Sequence, residues 1–473
     1  MTAFRQAQGG FVATIRTTSV ALAIAALAAC GGGGGGGTAA PAAGNGGAGA
    51  PVATGPSASG TGTTGTGSSG GATSTPGTAS SPAASGTTAG VFQSGDFQVN
   101  TNTPGSQFGA NVARLANGGY VTVWNSSLGE FGPSDVRMQR FDAQGQPAGT
   151  EQVVVAEGSS AQVAAFADGR FLVTWRVSPF AGEVDGRGRM FDAQGAPLGG
   201  TIALGTSPNG FTPRPMALPD GSFIAAIDIS GGGKFGPSYG LVAHFAADGT
   251  PLGEPTRLES QLSVQTGAFS PNAAGQAQVA LLADGRIAAV WVASGTDVSE
   301  LRLSRFDAQA QPVGAPVVLD NRTGTIQSPS IAVLADGRYA ISWVVGAAGQ
   351  SQVAELELFD AGGASLGRQE LATAPAGATL VPRLTALADG SLAAAWSVTT
   401  LESAQGNRQL AARRFDRSGA PIGAVQQFEA SSWTADNFPF DSLALAPTTG
   451  SGFLVIYGRW TAGQSWDVRA NVR

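Results

Sequence analysis

Residues 278–319 alternate between short apolar runs and clusters of turn-forming residues, and the alternation recurs down the chain. Gln278-Val-Ala-Leu-Leu-Ala leads into Asp284-Gly285 and then Ile287-Ala-Ala-Val-Trp291. A polar loop is followed by Leu301-Arg-Leu-Ser-Arg-Phe306-Asp307 and by Pro312-Val-Gly314-Ala-Pro-Val-Val-Leu319. Four apolar runs of strand length between such turns predict a four-stranded antiparallel meander. The second run is apolar throughout, as in 171–175 and 339–343. This predicts strands buried on both faces, with the tryptophan that ends each run filling the space between stacked sheets.

Aligning the copies gives the count. Asn117-Gly118, Asp168-Gly169, Asp220-Gly221, Asp284-Gly285, Asp336-Gly337 and Asp389-Gly390 each precede Trp124, Trp175, Ile227, Trp291, Trp343 or Trp396 by the same interval. Thr449-Gly450 and Tyr457 form a seventh, degenerate copy. Such dipeptides predict hairpin turns in which both central residues take positive φ. A second turn follows Phe141, Phe191, Phe245, Phe306, Phe359 and Phe415, with a glycine eight residues beyond each. The seventh copy ends at Arg473 with a third strand and no fourth, while 95–100 has the pattern of a fourth strand. The fold class is therefore all-β: a seven-bladed β-propeller of four-stranded blades, closed by the N-terminal strand completing the last blade. A row of β-sandwiches fits less well, since each needs about 100 residues.

The first ninety residues read differently. Arg5 and Arg16 precede an apolar stretch over 20–29 that is too short to span a bilayer, which reads as a signal peptide over 1–29. Residues 30–90 are almost entirely Gly, Ala, Ser, Thr and Pro and predict a disordered tether. The propeller is assigned to 91–473.

Composition narrows the chemistry. Charged residues are 12% of the chain, net charge is -6, and there is one cysteine, Cys30, and one histidine, His244. No basic footprint for nucleic acid is present. A Cys/His metal cluster is excluded, and the Asp-Gly turns lack a calcium-loop ladder, so neither metal nor cofactor is expected. His244 occupies a position taken by Arg, Met or Leu in other copies and reads as a strand residue.

Two resemblances add to this reading. Leu27-Ala-Ala-Cys30 resembles the lipobox of bacterial lipoproteins, which implies lipidation at Cys30, a membrane partner through N-terminal acyl chains, and, with Gly31 following, the outer membrane. The repeats, as in Asn117-Gly-Gly-Tyr-Val-Thr-Val-Trp124 and Phe97-Gln-Val-Asn-Thr101, resemble those of bacterial secreted and surface proteins; that family implies an extracytoplasmic β-repeat and no chemistry. The Asp-box of sialidases is matched only weakly: Leu282 stands at its serine position and Gly285 follows Asp284 directly.

Short turns share one face of a meander ring, which leaves the longer loops on the other, where binding residues usually reside. Candidate binding residues there are Trp433, Trp460, Phe131, Phe180, Phe235, Asp228 and Arg459. The expectation is a non-catalytic lipoprotein presenting this face to a protein or polysaccharide partner. The alternative is a glycan-directed hydrolase or lyase using loop carboxylates, which would show two acidic groups about 5–10 Å apart in a pocket, one with a raised pKa.

Overall fold

A computed structural model describes residues 95–473 apart from 129–133, 179–182, 208–209, 230–238, 259–274, 295–297, 348, 403–404, 435–441 and 462–464. Its described elements are all strands. β1 (Gly95–Gln98) comes first. Blade 1 is β2 (Ser106–Arg114), β3 (Tyr120–Ser127), β4 (Ser134–Phe141) and β5 (Gln152–Val155). Blade 2 is β6 (Ser159–Ala165), β7 (Phe171–Val177), β8 (Val184–Phe191) and β9 (Pro197–Ser207). Blade 3 is β10 (Phe211–Ala217), β11 (Phe223–Ile229), β12 (Tyr239–Phe245) and β13 (Thr256–Leu258). Blade 4 is β14 (Gly275–Leu281), β15 (Ile287–Ser294), β16 (Val298–Phe306) and β17 (Val317–Thr323). Blade 5 is β18 (Thr325–Val333), β19 (Tyr339–Gly346), β20 (Gln352–Phe359) and β21 (Ser365–Ala374). Blade 6 is β22 (Thr379–Ala386), β23 (Leu392–Glu402), β24 (Gln405–Phe415) and β25 (Pro421–Thr434). β26 (Leu443–Pro447), β27 (Phe453–Trp460) and β28 (Trp466–Val472) form blade 7 with β1.

Each blade is an antiparallel meander. The first strand of each blade touches the first strand of the next, and β26 touches β2, so these seven strands ring a central hub. Closure is by β1, which pairs antiparallel to β28 with Phe97 opposite Ala470. Beyond the ladder, the Asn100 side chain donates to Asp467 Oδ1 (2.9 Å) and accepts from the Val468 amide (2.9 Å). The chain is a seven-bladed all-β propeller.

The tryptophans lie where the apolar runs place them. Trp124 packs with Ala444, Leu454 and Ile456 of blade 7; Trp175 with Val121 and Val123 of blade 1; Trp343 with Val290 and Val292 of blade 4. Each thus fills the seam between its own blade and the preceding one. Blade 3 has Ile227 at this position, and Phe211 occupies the seam beside it. Gly186 and Gly205 make room for that ring: a Cβ built on Gly186 would sit 2.0 Å from Phe211.

The Asp-Gly turns depart from the expected backbone. Gly118, Gly169 and Gly221 have φ of 86°, 92° and 86°, but the Asn or Asp before each does not take positive φ. The Leu115 carbonyl accepts from the Gly118 amide (2.9 Å) and the Leu115 amide donates to the Gly119 carbonyl (2.7 Å). This is a three-residue hairpin, a type I turn ending in a left-handed glycine. The acidic or amide residue is present for its oxygen: Asp168 Oδ1 accepts the Arg170 amide (3.0 Å) and Asp220 Oδ1 the Ser222 amide (2.9 Å).

Candidate functional site

Side chains from all seven blades meet at the hub around a cavity of about 580 Å³. Its lining falls at the starts of the first strands, which the inter-blade connections enter, so the mouth opens on the side of the variable loops. Superposing the blades isolates one column: Asn111, Gln162, Arg214, Gln278, Ser330, Arg383 and Ala444 each pair across to the residue just before the tryptophan position. The column is polar in six blades, although it lies on the innermost strand. The residue after the tryptophan adds Asn125 and Arg176 to the lining.

The backbone at the mouth is irregular in a repeated way. Blades 1, 2, 4 and 5 each carry a register shift in the first strand. Within it one residue is left-handed: Gly109 (φ 65°), Ser160 (57°), Gln276 (69°) and Ser328 (55°). Bulges of this kind re-aim side chains. A neighbouring blade ties each one down. Ser442 Oγ accepts the Gly109 amide (2.7 Å), Asn125 Oδ1 the Ala161 amide (3.4 Å), Asp228 the Gln276 and Ala277 amides (2.9 and 3.1 Å), and Gln276 Oε1 the Ser328 amide (2.5 Å).

Three guanidiniums reach the mouth from blades 2, 3 and 6. Arg214 is ion-paired with Asp228. Arg383 donates to the Pro382 carbonyl (2.9 Å). Arg176 donates its Nε proton to Ser159 Oγ (3.0 Å), and among the described residues no carboxylate lies within ion-pair distance of it. Burial lowers the Arg176 pKa, because the charged form loses hydration.

The candidates from the sequence fall in two places. Asp228 borders the hub, bonded to its lining residues Arg214 and Gln276, and stitches blade 3 to blade 4. Trp433, Trp460 and Arg459 gather at the seam of blades 6 and 7. Trp433 is 3% exposed and edge-on to Trp466 (5.1 Å); a Cβ on its cross-strand partner Gly406 would meet its ring at 2.2 Å. It is a packing residue filling space that a glycine leaves. Trp460 leans on Trp466 (5.7 Å) and with Arg459, Asp467 and Arg469 lines a cleft of about 420 Å³. Phe131, Phe180, Phe235 and Cys30 lie outside the described residues. His244 is buried at the short-turn side, its Nε2 2.9 Å from Ser222 Oγ, remote from the mouth. The hub column and Arg176 were not singled out from the sequence; the signal was a polar position recurring in otherwise apolar inner strands.

Two acidic groups share Arg459 at the seam, away from the hub, and neither lines the cleft there. Arg459 contacts both Asp96 (3.0 Å) and Glu429 (3.4 Å). Burial, and after it the Asp96 charge, raises the Glu429 pKa against the opposing pull of Arg459. Tyr457 donates to Asp96 (2.7 Å), and burial with this acceptor raises the hydroxyl's pKa. A folded state that raises a carboxyl pKa binds the proton more tightly than the unfolded chain does. The associated stability is complete below the ordinary glutamate range and lost as pH rises through the raised value. Glu429→Gln is therefore expected to flatten the fall in melting temperature between acidic and neutral pH, as read by scanning calorimetry.

No family model matches this chain, and no curated protein matches it. Solved structures share its fold at low identity. A protein of unknown function from Dyadobacter fermentans is 12% identical, with a TM-score of 0.44, covering 80% of this chain and 97% of its own. The α-L-arabinofuranosidase of Fusarium graminearum is 9% identical, TM-score 0.44, covering 81% and 98%. The Penicillium chrysogenum α-L-arabinanase is 10% identical, TM-score 0.43, covering 80% and 98%. These likenesses extend to the fold alone. The expectation of a non-catalytic binding lipoprotein is corrected on the site itself: the described cavity is a polar hub, not the aromatic loop face which that reading assumed. Of its aromatic candidates, Trp433 is spent on packing.

Proposed function

We propose that this chain is a glycan-directed enzyme, a hydrolase or lyase, working at the hub mouth. The observation that supports it is the lining: a cavity of about 580 Å³ to which six of the seven blades bring amide, hydroxyl or guanidinium groups. That volume lies within the usual range of small-ligand sites, and the donors and acceptors suit a polyhydroxylated ligand. Non-glycine left-handed residues cost about 1–3 kcal/mol each and cluster where function holds them; Ser160, Gln276 and Ser328 all line this one cavity. Asp228 supplies a carboxylate next to the lining, bonded to Arg214 and Gln276.

The test is turnover. The chain is incubated with a panel of polysaccharides, and new reducing ends and unsaturated products are followed. At least one glycan should be cleaved, and Asp228→Asn should lower the rate by about 10²–10⁴-fold, the usual share of a general acid or base. Asparagine keeps one of the two acceptor oxygens that the Gln276 and Ala277 amides use, so circular dichroism of the variant must show a retained fold before its turnover is read. Binding across the panel without any cleavage would remove the enzyme reading.

A further inference from the structure

Resting on the hub as the glycan site, we infer that the saccharide it takes is acidic and that Arg176 receives its carboxylate. Several arginines of this chain are matched by a carboxylate. Arg170, Arg286 and Arg338 each pair with the aspartate of their own turn, Arg302 with Glu300, and Arg469 with Asp96. At the mouth, Arg214 is matched by Asp228. Arg176, at the same mouth, has no carboxylate partner among the described residues. It lines the cavity, and the one hydrogen bond it makes to a described residue is from Nε to Ser159. That bond fixes the guanidinium plane and leaves both terminal nitrogens to the cavity.

A half-buried cation without a counter-ion costs free energy that a resident anion recovers. The placement is the more telling in a chain whose net charge is -6. Two parallel N–H donors match a planar carboxylate better than a tetrahedral sulfate, and a lysine could not reproduce the fork. Gln162 from the same blade and Thr212 from the next line the cavity beside it and offer partners to the sugar hydroxyls.

The experiment compares three probes by titration calorimetry on the full chain: uronate oligosaccharides (galacturonate and glucuronate), the same oligosaccharides with their carboxyls reduced to alcohols, and a sulfated galactan. A charge-assisted pair is worth roughly 1.5–3 kcal/mol, so a uronate should bind about 10–100-fold tighter than its reduced form. Arg176→Ala should abolish that preference, the two forms then binding equally. Arg176→Lys, which keeps the charge and the fold, should recover only part of it. Equal binding of uronate and reduced form, unchanged in Arg176→Lys, overturns the acidic substrate and leaves the glycan site standing. A sulfated galactan bound as tightly as the uronate overturns the carboxylate assignment. Binding of none of the three overturns both readings.

Discussion

Trp343→Ala is expected to destabilise the propeller by about 3–5 kcal/mol, the usual range for emptying a buried aromatic site. The indole is fully buried and packs with Val290 and Val292 of the preceding blade. It also donates to Asp320 Oδ2 at 2.8 Å and lies 4.7 Å beneath the Arg368 guanidinium. Truncation thus leaves a cavity and takes a donor from a buried carboxylate shared with Arg322 and Arg368. Trp175 gives the control: it is equally buried, but its indole nitrogen has no hydrogen-bond partner among the described residues. Trp175→Ala should cost the cavity term alone. Chemical denaturation of the two variants should therefore place Trp343→Ala below Trp175→Ala. The reverse order would show that the Asp320 bond adds nothing.

Removing residues 95–100 is expected to cost more than either substitution. The deletion takes away the β1–β28 ladder, the buried Val99, and the edge contact of Phe97 with Phe141 (5.8 Å). It also strips Asp96 from Arg459, Arg469 and Tyr457 and Asn100 from Asp467, leaving buried polar groups behind. The remaining chain presents β28 as an open sheet edge, a template for pairing with another copy. A lower melting temperature together with concentration-dependent self-association by light scattering is the expected result. A monomeric variant with unchanged melting would mean that closure contributes nothing to stability.

The blade count and the closing strand were legible because they rest on local chemistry. A turn aspartate, a left-handed glycine and a doubly buried apolar run leave signatures within ten residues of one another. The hub was not legible because its members are about fifty residues apart and converge only when the ring closes. Asn111, Gln162 and Arg383 each look like an ordinary polar residue in a short strand; stacked around one axis, they form a lining. The aromatic residues misled for the converse reason. Trp433 was placed on the loop face, which suggested exposure, and Phe211 stands at the start of a strand. The glycines that receive them, Gly406 and Gly186, lie on neighbouring strands, and nothing in linear spacing reveals that fit. The Asp-Gly turns were placed correctly with the wrong backbone, because the aspartate acts as an acceptor for a downstream amide instead of adopting positive φ.

The strand that locks the wheel is made first and used last. Asp96 waits for Arg469, 373 positions later, before its blade can form. Bringing chain ends that far apart together carries a loop-closure entropy of about 5 kcal/mol, growing only slowly with length. Blades 1 to 6 hold their strands in local order and can assemble as they emerge, whereas the seventh depends on the complete polypeptide. Latching should accordingly be the slow step of refolding, and the same seam should be where the ring first comes undone under load.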